Sequence, residues 1–422
     1  MSFVNGASSM KKVFCFLFAA FAFAPASMIG LDALGEEQSA GGMTSTAGRG
    51  FAGGAKTGDA EGVSVVNPAR DAFDTKVVFN INFLMEFMAA DRHGDTFGTR
   101  NITIPSFNLS FPMAAYGTIG VSLWQRYSSI MREEVSDSSS SINAKFEYQS
   151  SVFEIVPSYA VRLPFLRNVS IGASAHIVMG SSIRSLTLGP DNSKVSAEDA
   201  WATNQTDITD YVDGTWEVKD HPAYYTMAIQ YRGRQSSYFF SLTTPHTLLN
   251  ELEYNFRFSE IDTLEPNRVD REIKIPMKLA TGFNFRFMKR NNIMGDLQWS
   301  AFDEDVKNIA GSYGMKRMTE TQNDILASVG FQRDGSPLFY DPYWDRISYR
   351  VGAWYKAWYV KGVDELGGSI GAGFPLGRKG TTIDVAIQGG KRFTDDVHKW
   401  EETFVGLRLG LMGIGSWGKT SR

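Results

Sequence analysis

Cysteine is all but missing: Cys15 is the only one among 422 residues, so no intrachain disulfide can staple the fold. There is no basic excess either. Lysine and arginine number 42 against 46 aspartates and glutamates, a formal net charge of -4, which lacks the positive footprint that phosphate backbones require. Nucleic acid is not an expected partner. No apolar run approaches the roughly twenty residues of a membrane-crossing helix, and the mean hydropathy of -0.19 is too polar for a helical membrane bundle. The five histidines, His93, His176, His221, His246 and His398, lie far apart without ligand spacing, so no metal is expected. No Gly-x-Ser-x-Gly elbow, phosphate loop or HExxH occurs, and neither an enzyme nor a cofactor is predicted. Aromatic residues and glycine are plentiful instead, at 13% of the chain and 41 positions. Rings pack well on pleated surfaces and glycine serves tight turns, so an all-β chain is expected.

Residues 10–26 read MKKVFCFLFAAFAFAPA: two lysines, an apolar run from Val13 to Ala24, then small residues. This pattern predicts a secretory signal peptide over residues 1–26. Without disulfides, the exported chain must be held by a core or by a closed, hydrogen-bonded sheet.

The clearest regularity is a period of two. From Ile273 to Phe287 the odd positions are Ile273, Ile275, Met277, Leu279, Thr281, Phe283, Phe285 and Phe287, and the even ones include Lys274, Lys278, Asn284 and Arg286. One apolar face along the whole stretch is expected, a strand between two different solvents. Val77 to Phe87, Leu252 to Phe258, Ile383 to Ile387 and Val405 to Leu411 alternate likewise. Such patterns persist for about 10 to 18 residues, where soluble strands average about five or six. Fourteen strands are predicted, from 77–88 to 400–412, with 222–233, 236–258 and 268–287 in the middle and Pro245 interrupting 236–258. Short connections (113–115, 164–167, 234–235, 288–290) alternate with long ones (133–145, 188–221, 306–321). That alternation marks a transmembrane antiparallel β-barrel with short periplasmic turns and both termini inside. The 333–345 stretch is long for such a turn, and 361–364 short for an outer loop. The expected parts are a signal peptide (1–26), an N-terminal segment (27–73) and an outer-membrane β-barrel (74–422).

Residues 41–73 read GGMTSTAGRGFAGGAKTGDAEGVSVVNPARDAF. Small residues, the Arg49-Gly50 step, Asp59-Ala60 and Asn67-Pro68-Ala69 follow one another in an order that resembles the N-terminal hatch of FadL-type outer-membrane transporters. IKIPMKLATGFNFRF from Ile273, and DRISYRVGAWY behind LFYDPYWD, are similar to later segments of that family. The sequence departs at Arg70, where a glycine is common. The resemblance implies a fourteen-stranded barrel plugged from within and residing in the outer membrane among its lipids. It implies transport of hydrophobic small molecules, long-chain fatty acids or hydrocarbons, with Arg49, Gly50, Asp59, Asn67 and Pro68 as hatch residues. PorV-type barrels, which serve a protein-secretion apparatus, share a similar N-terminal pattern, so secretion-system proteins are the alternative partners.

On the strand from Ile347 to Val360, one side carries Tyr349, Val351 and Tyr355, and the other Arg350, Trp354, Lys356 and Trp358. Two indoles and two cations pointing inward would suit an acyl chain and its carboxylate; the same rings would also serve as an interfacial girdle or pack on the plug. The stretch 188–221 sets Asp191, Glu198, Asp199, Asp207, Asp210, Asp213, Glu217 and Asp220 against Lys194 and Lys219. It lacks the spacing of a calcium loop and reads as a solvated outer loop.

Overall fold

A computed structural model describes residues 36–58, 61–92, 95–113, 116–136, 142–190, 210–257, 267–302, 321–376, 381–394 and 401–415. The signal-peptide prediction, Asp59 and most of the acidic 188–221 stretch fall outside them.

The chain forms a closed antiparallel barrel of fourteen strands. They are β1 (Val77–Arg92), β2 (Asp95–Pro112), β3 (Thr118–Ser136), β4 (Ile142–Arg162) and β5 (Val169–Pro190). Three strands follow in two pieces each: β6 (Asp210–Lys219 and Ala223–Arg232), β7 (Ser236–Thr243 and His246–Arg257) and β8 (Asn267–Ile275 and Lys278–Phe287). Then come β9 (Asn291–Ser300), β10 (Asp324–Arg333), β11 (Ser348–Ala357), β12 (Val363–Leu376), β13 (Thr381–Thr394) and β14 (Glu401–Gly415). β14 pairs with β1, Val405 opposite Phe87, which closes the sheet and leaves no edge. The long 334–347 connection is a compact turn built around a one-turn helix, Tyr343–Arg346.

Alternation sorts each strand. In β14, Val405, Leu409 and Leu411 face out while Phe404 and Arg408 are buried within. An outer face of Val, Leu, Phe and Tyr against an inner face of Asn, Ser, Gln and charged residues is the pattern of a strand between lipid and a polar lumen.

β8 departs from the expected single apolar face. Ile275 is 2% exposed and Ile273 is buried, both inside the barrel, yet Phe283 is 41% exposed and Phe285 also faces out. The two faces exchange at Pro276, opposite Pro245 of β7. Proline cannot donate a ladder hydrogen bond, and the sheet pairs β7 with β8 only on either side of these residues. β6 is interrupted beside them at 220–222, where Asp220 and His221 have φ of 58 and 40°. On the long-loop side of this level Val218, Leu248, Ile273 and Ile275 join Tyr127, Trp358 and Tyr359 in an apolar cluster inside the wall. On the short-turn side the interior is polar.

Candidate functional site

Residues 36–73 run through the barrel interior, and nearly every described position there is buried. Their backbone is tied to strands all round the wall. Glu36 and Glu37 bridge to Ser128 and Tyr127 of β3. Thr44 N–H donates to Asn82 Oδ1 of β1 at 2.9 Å, at the start of a one-turn helix, Thr44–Ala47. Gly50 N–H donates to Ser369 Oγ of β12 at 2.9 Å. The amides of Gly53 and Gly54 donate to Asp296 Oδ2 of β9 at 3.0 and 2.7 Å. The Ala55 carbonyl accepts from Gln230 of β6 and Ser237 of β7 at 2.9 and 2.6 Å, and that of Ala69 from Ser170 of β5 at 2.7 Å. Each tie satisfies a backbone group that burial would otherwise leave orphaned.

The interior is also densely ionic. Arg49, fully buried, forks onto Glu61 with Nη1 to Oε1 at 2.5 Å and Nη2 to Oε2 at 2.9 Å, and reaches Gln332 at 2.9 Å. Burial alone would raise the Glu61 pKa, but Arg49 and Arg70 hold it well below the usual carboxylate range. Asp71 has the weaker partner, Arg70 at 3.4 Å; burial wins there and raises its pKa to about 7. Lys56 meets Asp334 at 3.2 Å.

At the start of the segment two neighbouring glutamates diverge. A β-bulge in β3 between Gln125 and Tyr127 turns Arg126 inward. Glu37 Oε1 meets Arg126 Nε at 3.4 Å and Lys278 Nζ at 3.0 Å, and Lys356 donates to the Glu37 carbonyl at 2.9 Å. Although burial opposes it, these cations lower the Glu37 pKa to about 2. Glu36 instead shares Arg392, at 2.7 Å, with Glu365 at 2.9 Å and Glu402 at 3.1 Å. One guanidinium cannot neutralise three carboxylates, and burial foremost, together with Glu86 and Glu365, raises the Glu36 pKa to about 8. Arg392 lies between the rings of Trp358 and Phe404, 5.0 and 4.4 Å from their centroids.

Beside Glu37 lies a cavity of about 30 Å³, room for water and little more. Val65, Val66, Trp124 and Leu326 form its apolar side, and Arg126, Lys278 and Lys356 bring cations to it. His176 and Thr226 also border it. His176 Nδ1 sits 2.9 Å from Glu154, and its Nε2 3.1 Å from Ser174 Oγ and 3.0 Å from Thr226 Oγ1. This has the order of an acid, base and hydroxyl, but Glu154 also accepts from Arg126 at 2.9 Å and Tyr224 at 2.6 Å. The array is a saturated polar network bordering that small cavity. Among the described residues no group of three or more His, Cys, Asp or Glu is placed to hold a metal.

The structure places the residues singled out from sequence as follows. Gly50 has φ of 66°, and a Cβ there would meet the Ala353 backbone nitrogen at 2.4 Å, so only glycine fits. Asn67 Nδ2 donates to the Gly54 carbonyl at 2.8 Å and Gln230 Oε1 at 2.6 Å; Pro68 opens a 3₁₀ turn, Pro68–Phe73. On β11, Tyr349, Val351 and Tyr355 face out. Arg350 pairs with Asp384, and the indoles of Trp354 and Trp358 donate to Glu365 at 2.6 and 3.2 Å. Of the four ligand-lining candidates, Lys356 alone borders the cavity. Sequence reasoning missed Glu37, Arg126, Glu154, His176 and Lys278; for Glu154 and Lys278 the available signal was a charge at an inward position of an alternating strand, whereas Glu37 precedes the first such strand and Arg126 sits on a bulge.

A closed barrel, apolar outside and polar within, defines the class: an outer-membrane β-barrel. The chain belongs to the BamG family, which it matches over residues 16–422. Its fold is that of the FadL-type channels. It superposes on a Pseudomonas aeruginosa FadL homologue with a TM-score of 0.60 at 13% identity, covering 92% of this chain and 100% of that one. The Pseudomonas putida toluene transporter TodX gives 0.57 at 13% identity over 91% and 100%. The monoaromatic hydrocarbon channel CymD gives 0.55 at 14% over 89% and 97%. No curated protein sequence matches, and the secretion-component alternative finds no support in these comparisons.

Proposed function

We propose that this barrel passes hydrophobic or amphipathic small molecules across the outer membrane, with residues 27–73 as its hatch and residues 1–26 removed on export. The observation that carries the reading is the make-up of the cavity wall: Glu37, Gln38, Ser39, Val65 and Val66 all come from the N-terminal segment. A ligand larger than water enters only if that segment shifts, so binding and opening are one equilibrium, set by the difference in ligand affinity between the two states. Arg126, Lys278 and Lys356 around an apolar patch favour a long-chain acid over a bare hydrocarbon. The likeness to hydrocarbon channels supports the passage of hydrophobic small molecules in general.

The test is mass spectrometry of lipids retained by folded, detergent-extracted protein. Stoichiometric acyl species are expected in the intact chain, with occupancy changed by deletion of 41–73 and raised by Glu37→Gln. Empty barrels throughout would overturn the transporter reading. N-terminal sequencing of the extracted protein should find the chain starting at residue 27.

A further inference from the structure

A second cavity, of about 190 Å³, opens at the short-turn end. It lies between the turn 233–235 and the end of β8, and its lining includes Arg232, Arg234, Arg286 and Asn284 from the barrel and Thr57 from the lumenal segment. In outer-membrane barrels this end faces the periplasm.

The arginines here differ from those elsewhere on the same rim. Arg333 pairs with Asp345 at 2.8 Å and Arg290 with Asp341 at 3.5 Å. Among the described residues Arg232 and Arg234 form no ion pair. The Arg232 guanidinium lies over the Phe73 ring, 5.1 Å from its centroid, where it is held in place but not neutralised. Its charged neighbours are Arg162 and Arg286, with Asp74 as the opposing charge. Arg286 has a single long pair, Nη2 to Asp334 at 3.8 Å, and Asp334 is already engaged by Lys56 at 3.2 Å. Like charges gathered around an open cavity in a chain of net charge -4 are destabilising unless an anion joins them.

We infer that this cavity is a binding site for a phosphate-bearing anion, held by the guanidinium groups of Arg232, Arg234 and Arg286. Guanidinium forks match phosphate oxygens, and several cations suit a multiply charged anion better than a single carboxylate. The volume is several times that of a water, which takes about 30 Å³. The anion has two sources of the same chemistry: the headgroup of an anionic phospholipid in the inner leaflet, or a free phosphate compound of the periplasm. Thr57 puts the lumenal segment in the cavity wall, but the inference does not depend on that segment opening.

The test uses the full mature chain in detergent. Inorganic pyrophosphate is titrated calorimetrically, and adducts with dioleoylphosphatidylglycerol or dioleoylphosphatidylcholine are counted by native mass spectrometry. Saturable binding of pyrophosphate, of the glycerol lipid over the choline lipid, or of both is expected; the first identifies a free phosphate and the second a headgroup. Arg232→Gln with Arg234→Gln should weaken binding about tenfold or more, and Arg286→Gln, made separately, should weaken it in the same direction. Arg333→Gln, a paired arginine outside the cavity, should leave it unchanged. Unaltered heat-modifiable gel migration shows that each variant is folded. Absence of binding by both probes, equal binding of acetate, or an equal loss in Arg333→Gln would overturn the inference.

Discussion

Strand β8 passes through two environments. On the long-loop side of Pro276, Ile273 and Ile275 point inward while Glu272 and Lys274 are exposed; on the short-turn side, Phe283 and Phe285 point outward and Asn284 is buried. One end is organised like a soluble protein, with apolar side chains inside and charges outside. The other inverts that order, because its outer solvent is hydrocarbon and its inner neighbour is a hydrogen-bonding chain. In β8 the proline level at Pro245 and Pro276 is thus where the outer face changes from apolar to charged, and the two sides of it are stabilised by different forces: apolar packing in one, paired polar groups in the other.

The largest effect expected from breaking this contrast is at Arg49. Arg49→Met takes the two shortest partners from the buried Glu61 carboxylate and leaves it Arg70 at 3.4 Å, and breaking such a buried pair costs up to about 3–5 kcal/mol. Limited proteolysis should cut residues 36–73 far faster while the barrel keeps its heat-modifiable migration; unchanged protection would show that the polar end does not rest on ion pairs. Somewhat smaller is the penalty for a charge facing lipid. Phe283→Arg should cost about 2–4 kcal/mol, while Glu272→Arg, on the same strand beyond Pro276, should stay within about 0.5 kcal/mol. Equal costs in urea unfolding would remove the boundary from Pro276.

Smaller again is the response to pH. Seating the segment raises Glu36 from 4.5 to about 8 and Asp71 from 3.8 to about 7, so the seated state binds protons that the released state gives up. This contribution is complete below the released pKa values and is lost as pH rises through 7 and 8. Glu37, lowered from 4.5 to about 2, acts oppositely: its contribution is complete above about pH 4.5 and is lost as pH falls toward 2. Hydrogen exchange of residues 36–73, corrected for its intrinsic rate, should speed up between about pH 6 and about pH 9; a slower rate at the higher pH would contradict it.

All fourteen strands were legible because two solvents impose a period of two on every crossing. The exchange of faces in β8 was not, and the reason is physical. Apolar residues occupy odd positions on both sides of Pro276, inward on one side and outward on the other, so the alternation continues unbroken while its meaning reverses. Pro245 and Pro276 were the visible sign. A hatch was expected only through the family resemblance of residues 41–73, Gly50 and Asn67 among them, and the cavity had no sign in the sequence at all. Glu37 and Lys278 meet across 241 residues of sequence, and nothing local to either marks the other as its partner.

The lumenal segment touches strands from both ends of the barrel, Asn82 of β1 and Ser369 of β12 among them. Although it precedes every strand in the chain, its seat exists only once the sheet is nearly closed. This segment is therefore among the last parts of the chain to settle, and its many small residues leave little apolar surface to misplace while it waits.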